Sequence, residues 1–397
     1  MRHEGGLIRI NEWLLPLSWI YGSVTGLRNR LFDIGILKSR AYKIPVIAVG
    51  NITVGGTGKT PHVEHLVRLL QDKIKVAVLS RGYKRKSKGY VLADSNTQVS
   101  DIGDEPYQMM LKYPNAYIAV DKNRRRGIER LTTDEASNDT DVILLDDAFQ
   151  HRYVKPGVNI LLVDYHRLII YDKLLPAGRL REPLKGKNRA DLVIVTKCPR
   201  ELKPMEFRVI TKAMDLYPYQ HLFFTTLSYD ELQPVFGNGA PAPLSGGLDV
   251  LKGQNVLLLS GIASPRQLEE DLKTLAAPAQ LTPLVYPDHH SFRRKDVERI
   301  NSTFAAMPSP KCIVTTEKDA ARLTSVSGLS DEVRRNLYAL PVRITFMQPE
   351  QEEKFNETIV GYVLKNSRNS ILVKGKDDSK PHDSQHTGNK PRTISFR

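Results

Sequence analysis

The run Val46-Ile47-Ala48-Val49-Gly50-Asn51-Ile52-Thr53-Val54-Gly55-Gly56-Thr57-Gly58-Lys59-Thr60-Pro61 constrains this chain more than any other stretch. A short apolar run reads as a buried strand, and the glycine-rich turn after it closes on Gly-Lys-Thr. Val63, Leu66, Val67, Leu69 and Leu70 then recur at helical spacing. A strand, loop and helix of this kind curl backbone amides around phosphates, send the Lys to the β- and γ-phosphates and offer the Thr hydroxyl to Mg2+. Pro61 in the first helical turn and the positive helix end favour the same anion. The usual G-x-x-x-x-G-K-[ST] spacing places a Gly where Thr53 stands, and Gly55 and Gly56 supply the backbone freedom instead. Thr53, Val54, Gly55, Gly56, Thr57, Gly58, Lys59 and Thr60 are therefore the expected nucleotide-binding residues. The competing reading is a glycine-rich structural turn.

Around this motif, strand-like runs at Ile44–Val49, Lys75–Leu79, Ala116–Val120, Val142–Leu145, Val158–Val163 and Leu192–Val195 alternate with helical segments. Short continuous apolar strands between helices predict a mostly parallel sheet covered on both faces. Residues 207–236 turn extended and aromatic-rich, and 237–247 are Gly- and Pro-rich, which predicts a connecting ribbon and hinge over 207–247. Asn255–Ser260, Pro265–Leu275, Leu284–Tyr286, Lys295–Met307 and Cys312–Thr316 then read as a second strand–helix unit. The expected fold class is α/β: a P-loop NTPase-like, mostly parallel sheet domain over 41–206, a smaller second α/β domain over 248–364 and an N-terminal amphipathic helix within 1–40. The polar, basic segment 365–397 reads as a disordered tail.

At the N-terminus, Trp13, Leu17, Ile20, Val24, Leu27, Leu31 and Ile34 make one apolar helical stripe. No charge lies between Trp13 and Leu27, yet the span is too short to cross a bilayer. Arg28, Arg30, Lys38, Arg40 and Lys43 follow directly. That pattern suits a helix lying in the interface of an anionic membrane, or a helix packed on the domain's own core. The formal net charge of +14 points to an anionic partner: nucleic acid, membrane surface or a phosphorylated substrate. The basic runs at 81–86 and 122–126 lack the interleaved aromatics of a single-strand platform, and no helix-turn-helix or finger spacing occurs, which argues against nucleic acid. Cys198 and Cys312 sit in no metal-ligand spacing and suit a reducing compartment. No signal-peptide pattern is present, and nothing points to a required protein partner.

Three further clusters carry chemistry. Asp141–Asp147 is an apolar strand ending in the carboxylates Asp146 and Asp147, the pair such an enzyme places near Mg2+; an Asp after a strand also caps helices. Gln150 and His151 follow it. Gly103-Asp104-Glu105-Pro106 offers a carboxylate that can accept a hydroxyl proton, or a capped helix start. Pro287-Asp288-His289-His290 puts an Asp beside an imidazole that it can orient, or is structural. Thr196-Lys197-Cys198-Pro199 lacks the acid a guanine-specific Thr-Lys-x-Asp needs, which favours ATP.

Together these pieces resemble the tetraacyldisaccharide 4'-kinase (lipid A 4'-kinase) family from about Trp13 to Leu364. The motifs run in order: Leu-Pro-Leu-Ser-Trp-Ile-Tyr at 15–21, the loop at 49–61, Ser-Arg-Gly-Tyr at 80–83, Gly-Asp-Glu-Pro at 103–106, Asp-Asp-Ala-Phe-Gln-His at 146–151, Leu-Leu-Pro-Ala-Gly-Arg-Leu-Arg-Glu at 174–182 and Asp-His at 288–289. The resemblance implies transfer of the ATP γ-phosphate to the 4'-hydroxyl of an acylated glucosamine disaccharide 1-phosphate, by a peripheral enzyme at the cytoplasmic face of the inner membrane. It implies Asp104 as base, assisted by His289 with Asp288. Lys59 and Thr60 are then phosphate and Mg2+ ligands, and Glu105, Asp146 and Asp147 acidic groups around the metal. Arg81, Arg124, Gln150 and Arg181 fall to the substrate and phosphate side.

Overall fold

A computed structural model describes residues 8, 10–236, 244, 246–262, 265–288 and 290–366. The expected hinge at 237–243 and 245, the residue His289 and the tail from 367 lie outside the described residues. Among the described residues a short 3-10 turn (Glu12–Leu14) leads into α1 (Leu15–Asp33), and the chain enters the sheet at β1 (Val46–Gly50). It continues through α2 (Lys59–Leu70), β2 (Val76–Ser80), β3 (Val91–Leu92), α3 (Val99–Ile102), α4 (Asp104–Lys112), β4 (Tyr117–Val120), α5 (Arg124–Thr133), β5 (Val142–Asp146), β6 (Val158–Asp164), β7 (Leu192–Thr196), α6 (Pro204–Met214) and β8 (His221–Tyr229). A second unit holds β9 (Gln233–Pro234), β10 (Asn255–Ser260), α7 (Pro265–Asp271), β11 (Gln280–Val285), α8 (Arg294–Ala305), β12 (Lys311–Thr316), α9 (Glu317–Leu323), α10 (Asp331–Arg335) and β13 (Leu337–Leu340). The last two elements among the described residues are β14 (Val342–Phe346) and α11 (Pro349–Asn366).

Among the described residues the large sheet runs β14-β8-β7-β6-β1-β5-β2-β4-β3 and the small one β11-β10-β12-β13-β9. β1, β2, β5, β6 and β7 pair in parallel, as the buried apolar runs require. β1 lies between β5 and β6, so the glycine loop leaves the sheet beside the acidic end of β5. Helices cover both faces. Val63, Leu66, Val67 and Leu70 of α2 and Phe355, Ile359 and Val363 of α11 bury against one side, and Ile128 and Leu131 of α5 against the other.

Two boundaries differ from the sequence expectation. Residues 204–214 are a helix, and 221–229 form β8, a paired strand of the large sheet rather than a ribbon. His221–Tyr229 carries consecutive buried residues at Phe223, Phe224 and Thr225, because it is covered on both faces, and such a run lacks the alternation that marks a half-buried strand. The second unit ends at Leu340 rather than near 364. After Pro341 the chain returns as β14, antiparallel to β8, and α11 packs into the first core. The small domain is thus an insertion between two adjacent strands.

α1 is inverted relative to a helix that packs through its apolar stripe. Only Ser18 and Phe32 are buried, while Trp13, Leu17, Trp19, Ile20, Val24 and Leu27 are exposed, Trp13 at 94%. Its polar face binds the protein instead. The Ser18 hydroxyl donates to Leu174 O at 3.0 Å, Tyr21 to Arg181 O at 2.8 Å and Asn29 Nδ2 to Glu182 at 3.1 Å.

Candidate active site

The glycine loop is braced before any ligand is considered. Val54 N donates to Arg179 O at 2.8 Å and Arg181 N to Ile52 O at 2.7 Å, with Thr53 bridged antiparallel to Leu180. Thr53 is therefore extended and buried, which is why this position needs no Gly. Positive backbone angles fall at Gly55 (φ 122°) and Gly58 (φ 79°), where a side chain would be strained. Behind the loop, Asn51 Nδ2 donates to Thr57 Oγ1 at 2.8 Å and Thr196 Oγ1 to Thr57 O at 3.0 Å; Lys197 Nζ reaches Gly56 O and pairs with Asp164 at 2.8 Å. His62, one turn into α2, lies 2.7 Å from Gly58 O and 3.1 Å from Thr225 Oγ1, and burial pushes its pKa down to about 4. The bracing roles of Asn51, His62, Lys197 and Thr225 do not stand out in the sequence, because the fold sets the partners that each one bonds. Lys197 also adopts a left-handed backbone, at φ 56°.

Lys59 and Thr60 open α2 below the loop. Lys59 Nζ stands 3.6 Å from Asp147 Oδ1, and Arg181 Nη2 stands 3.2 Å from the same oxygen while also bonding Asn51. Asp147 is half-buried and held at φ 47°, a conformation that costs energy unless its surroundings fix it. Burial alone would raise its carboxyl, but Lys59 and Arg181 outweigh this and hold it below the ordinary value. Asp146 behaves oppositely. Burial, then the charges of Glu105 and Asp147, push it up from 3.8 to about 7. Its Oδ2 accepts from Ser80 Oγ at 3.3 Å, and its Oδ1 is buried with no hydrogen-bond partner among the described residues.

This orphaned oxygen is a cation-shaped deficit. Among the described residues no three His, Cys, Asp or Glu side chains converge to hold a metal alone. Mg2+ does not ask for that, since it keeps waters and takes one or two carboxylates together with substrate phosphates. Thr60, Glu105, Asp146 and Asp147 are hard oxygen donors of the right kind, and the donor set fits.

Of the other expected residues, Gln150 Nε2 bonds Asn51 O at the loop's start, while Arg81 is exposed after β2. Arg124 is buried and donates to Asp121 O at 2.7 Å and Asp146 O at 2.9 Å, so it braces the end of β5; burial lowers its pKa to about 10.

Across the cleft, α4 opens with Asp104 and Glu105 and packs against α9 of the small domain. Arg322 Nη2 lies 2.5 Å from Asp104 Oδ2 while its Nη1 lies 2.8 Å from the fully buried Asp319. One turn earlier, Lys318 Nζ bridges Glu105 Oε1 and Asp288 Oδ1, each at 3.3 Å. Farther along, Lys112 pairs with Glu64 and Glu317, both at 2.7 Å. The two cations of α9, four residues apart on one face, thus meet the two acids that open α4. Asp288 is brought beside Glu105; His289 lies outside the described residues.

A glycine loop on the first strand of a parallel sheet, a lysine at its end and an acidic pair on the neighbouring strand define a P-loop phosphotransferase with a second domain over its cleft. The sequence profile of the tetraacyldisaccharide-1-P 4'-kinase family matches residues 10–360, and the chain belongs to that family. It is 55% identical over 368 residues to a tetraacyldisaccharide 4'-kinase of Phocaeicola vulgatus, covering 92% of this chain and 99% of that protein. It is 42% identical to the Porphyromonas gingivalis enzyme of the same name, covering 89% and 98%. The crystal structure of Aquifex aeolicus LpxK in complex with ATP is similar at a TM-score of 0.68 and 31% identity, covering 88% of this chain and 98% of that one.

Proposed function

We propose that this enzyme moves the γ-phosphoryl group of ATP to the 4'-hydroxyl of a tetraacylated glucosamine disaccharide 1-phosphate. The observation that carries the reading is the meeting of two walls: the phosphate loop with Lys59 and the Asp146–Asp147 pair on one, and Asp104 at the head of α4 on the other. The relatives' shared name supplies the acceptor, and the ATP complex of the similar structure supports the donor.

The loop amides of residues 53–60 and Lys59 cradle the phosphates, with Arg181 and Arg81 beside them. Thr60, Glu105, Asp146 and Asp147 would hold Mg2+, which when bound offsets charge on the phosphate oxygens. Asp104 takes the 4'-hydroxyl proton as the new O–P bond forms and the bond to the ADP oxygen breaks. Asp104 need not be a strong base, because the loose transition state of phosphoryl transfer asks for little proton abstraction before bond formation. Lys318 keeps Asp288 beside Glu105, and His289 follows it directly in the chain as the group that supports Asp104. Arg124 and Gln150 act by holding the strand end and the loop's first residues.

The enzyme acts peripherally at the cytoplasmic face of the inner membrane, with α1 as its contact. No helix among the described residues is long and apolar enough to cross a membrane. An outward face of Trp13, Leu17, Trp19, Ile20, Val24 and Leu27 beside Arg28, Arg30, Lys38, Arg40 and Lys43 is what a helix in an anionic interface presents.

The test is transfer of labelled γ-phosphate from ATP to tetraacyldisaccharide 1-phosphate in detergent micelles, with Lys59→Ala as control. Labelled bisphosphorylated lipid from the wild type and not from the variant is the expected result. ATP hydrolysis without labelled lipid would refute the acceptor assignment.

A further inference from the structure

We propose that the cleft between the two domains contains a phosphomonoester subsite, formed by Lys84, Lys86 and Arg293, which receives the 1-phosphate of the sugar acceptor while its 4'-hydroxyl faces Asp104. The proposal deepens the kinase reading above and rests on it.

A cavity of about 820 Å3 opens where Asp104 and Arg322 meet. That is within the ~300–1,000 Å3 range of small-molecule sites. Five basic and two acidic side chains line it. Arg322 is committed to Asp104 and Arg294 to Glu298, which leaves Lys84 and Lys86 with no ion-pair partner among the described residues. A cleft that faces a proposed base and keeps two lysines outside any ion pair, with Arg293 beside Asp296 at the start of α8, is built for an acceptor that itself carries negative charge.

The two lysines are set by the loop that carries them. Arg85 turns inward, donating to Val120 O at 3.3 Å and Ser87 Oγ at 3.2 Å as well as to Gly89 O, so its neighbours on either side are left to line the cavity. Lys84 adopts φ 58°, a left-handed conformation uncommon for a side chain of this size. The loop is also pressed onto the base. A Cβ on Gly103 would stand 2.7 Å from Tyr83 O, and Lys86 N donates to Ser100 O at 2.8 Å. Lys84 and Lys86 therefore stand in fixed register with Asp104, the next residue after Gly103. Arg293 closes the set from the opposite domain, just before α8. A ligand whose phosphate spans these cations also ties the domains together over the reacting hydroxyl.

The experiment compares two acceptors, tetraacyldisaccharide 1-phosphate and its 1-dephosphorylated counterpart, in mixed micelles. The wild type should prefer the phosphorylated acceptor in kcat/KM by at least about tenfold, the worth of one or two charge-assisted contacts. In Lys84→Ala/Lys86→Ala that ratio should fall toward one through KM for the acceptor, with KM for ATP within about twofold and recovery in Lys84→Arg/Lys86→Arg. Arg293→Ala, on the other domain, should lower the ratio independently. An unchanged ratio, or equal losses on both acceptors, would overturn the subsite. Absence of transfer from the wild type to either acceptor would overturn the kinase reading, and the subsite with it.

Discussion

Asp146→Asn should make the ligand-free protein more stable at neutral and alkaline pH, although it removes a proposed metal ligand. The Asp146 carboxyl lies at about 7 in the folded protein against an ordinary 3.8, first because it is buried and then because Glu105 and Asp147 are near. An acid whose pKa is raised by folding contributes its stability below the unfolded value and loses it as pH rises through the folded one. Between pH 3.8 and about 7 the unfolded chain gives up this proton while the folded chain keeps it. Each pH unit then costs about 1.4 kcal/mol, so the whole window of roughly three units costs about 4 kcal/mol. From pH 5 to pH 8 the share is about 2 to 3 kcal/mol, on the order of 5 °C in Tm for a domain of this size. Asn mimics the protonated carboxyl and cannot ionise. Melting temperatures of wild type and variant, taken at pH 5 and pH 8 without divalent metal, should therefore show the variant higher, by a margin that widens from pH 5 to pH 8. Excess Mg2+ should raise the wild type at pH 8 and leave the variant nearly unmoved. Parallel pH profiles for the two proteins, or a variant less stable at both pH values, would refute the claim that a buried carboxylate awaits a cation here.

Asp104→Ala should lower kcat by at least ~10²-fold while ATP affinity is nearly unchanged, as loss of a general base requires; weaker ATP binding with kcat preserved would make Asp104 a ligand instead. Arg322→Met leaves the buried Asp319 without its counter-ion and should cost roughly 3 kcal/mol or more in unfolding free energy. Urea titration checks it, and an unchanged midpoint would show the pair to be energetically idle. Ile20→Glu with Val24→Glu should release the protein from anionic liposomes in a flotation assay while changing stability by no more than about 0.5 kcal/mol, since both side chains are exposed. Continued flotation would sink the interfacial role of α1, and a large loss of stability would mean that these residues pack on protein.

What the sequence discloses about this fold is its strongly periodic or motif-bound part. The strands on either side of the glycine loop announce themselves because each is buried on both faces and bounded by turns, and the acidic end of β5 follows from its apolar run. Lys59, Asp146 and Asp147 come together as their motif spacing implies. The polar braces do not announce themselves: Asn51, His62 and Thr225 are ordinary residues whose partners lie up to 163 positions away. Nor does the stripe on α1 say which way it faces. Periodicity defines an apolar side, and only the hydrogen bonds of Ser18, Tyr21 and Asn29 show that the other side is the one joined to the protein. The return of the chain after Pro341 was hidden for a related reason. One residue separates β13 in the small sheet from β14 in the large one, too short a break to register as a domain boundary.

That short break bears on how the cleft can work. Both crossings into the small domain start from neighbouring ends of one antiparallel pair: Tyr229 of β8 is opposite Val342 of β14, and Asp230 N donates to Pro341 O at 3.0 Å. Two strands leaving side by side act as a single joint, so the small domain can swing with few backbone angles changed and no rearrangement of either sheet. Among the contacts set against such a swing are polar ones between α4 and α9, with Arg322 on Asp104, Lys318 on Glu105 and Lys112 on Glu317. Asp104 and Glu105, the two acids proposed for proton transfer and metal, are among those partners. With those proposed roles, arrival of metal and acceptor would compete for the same charges that join the domains, and closure and chemistry would draw on one set of side chains.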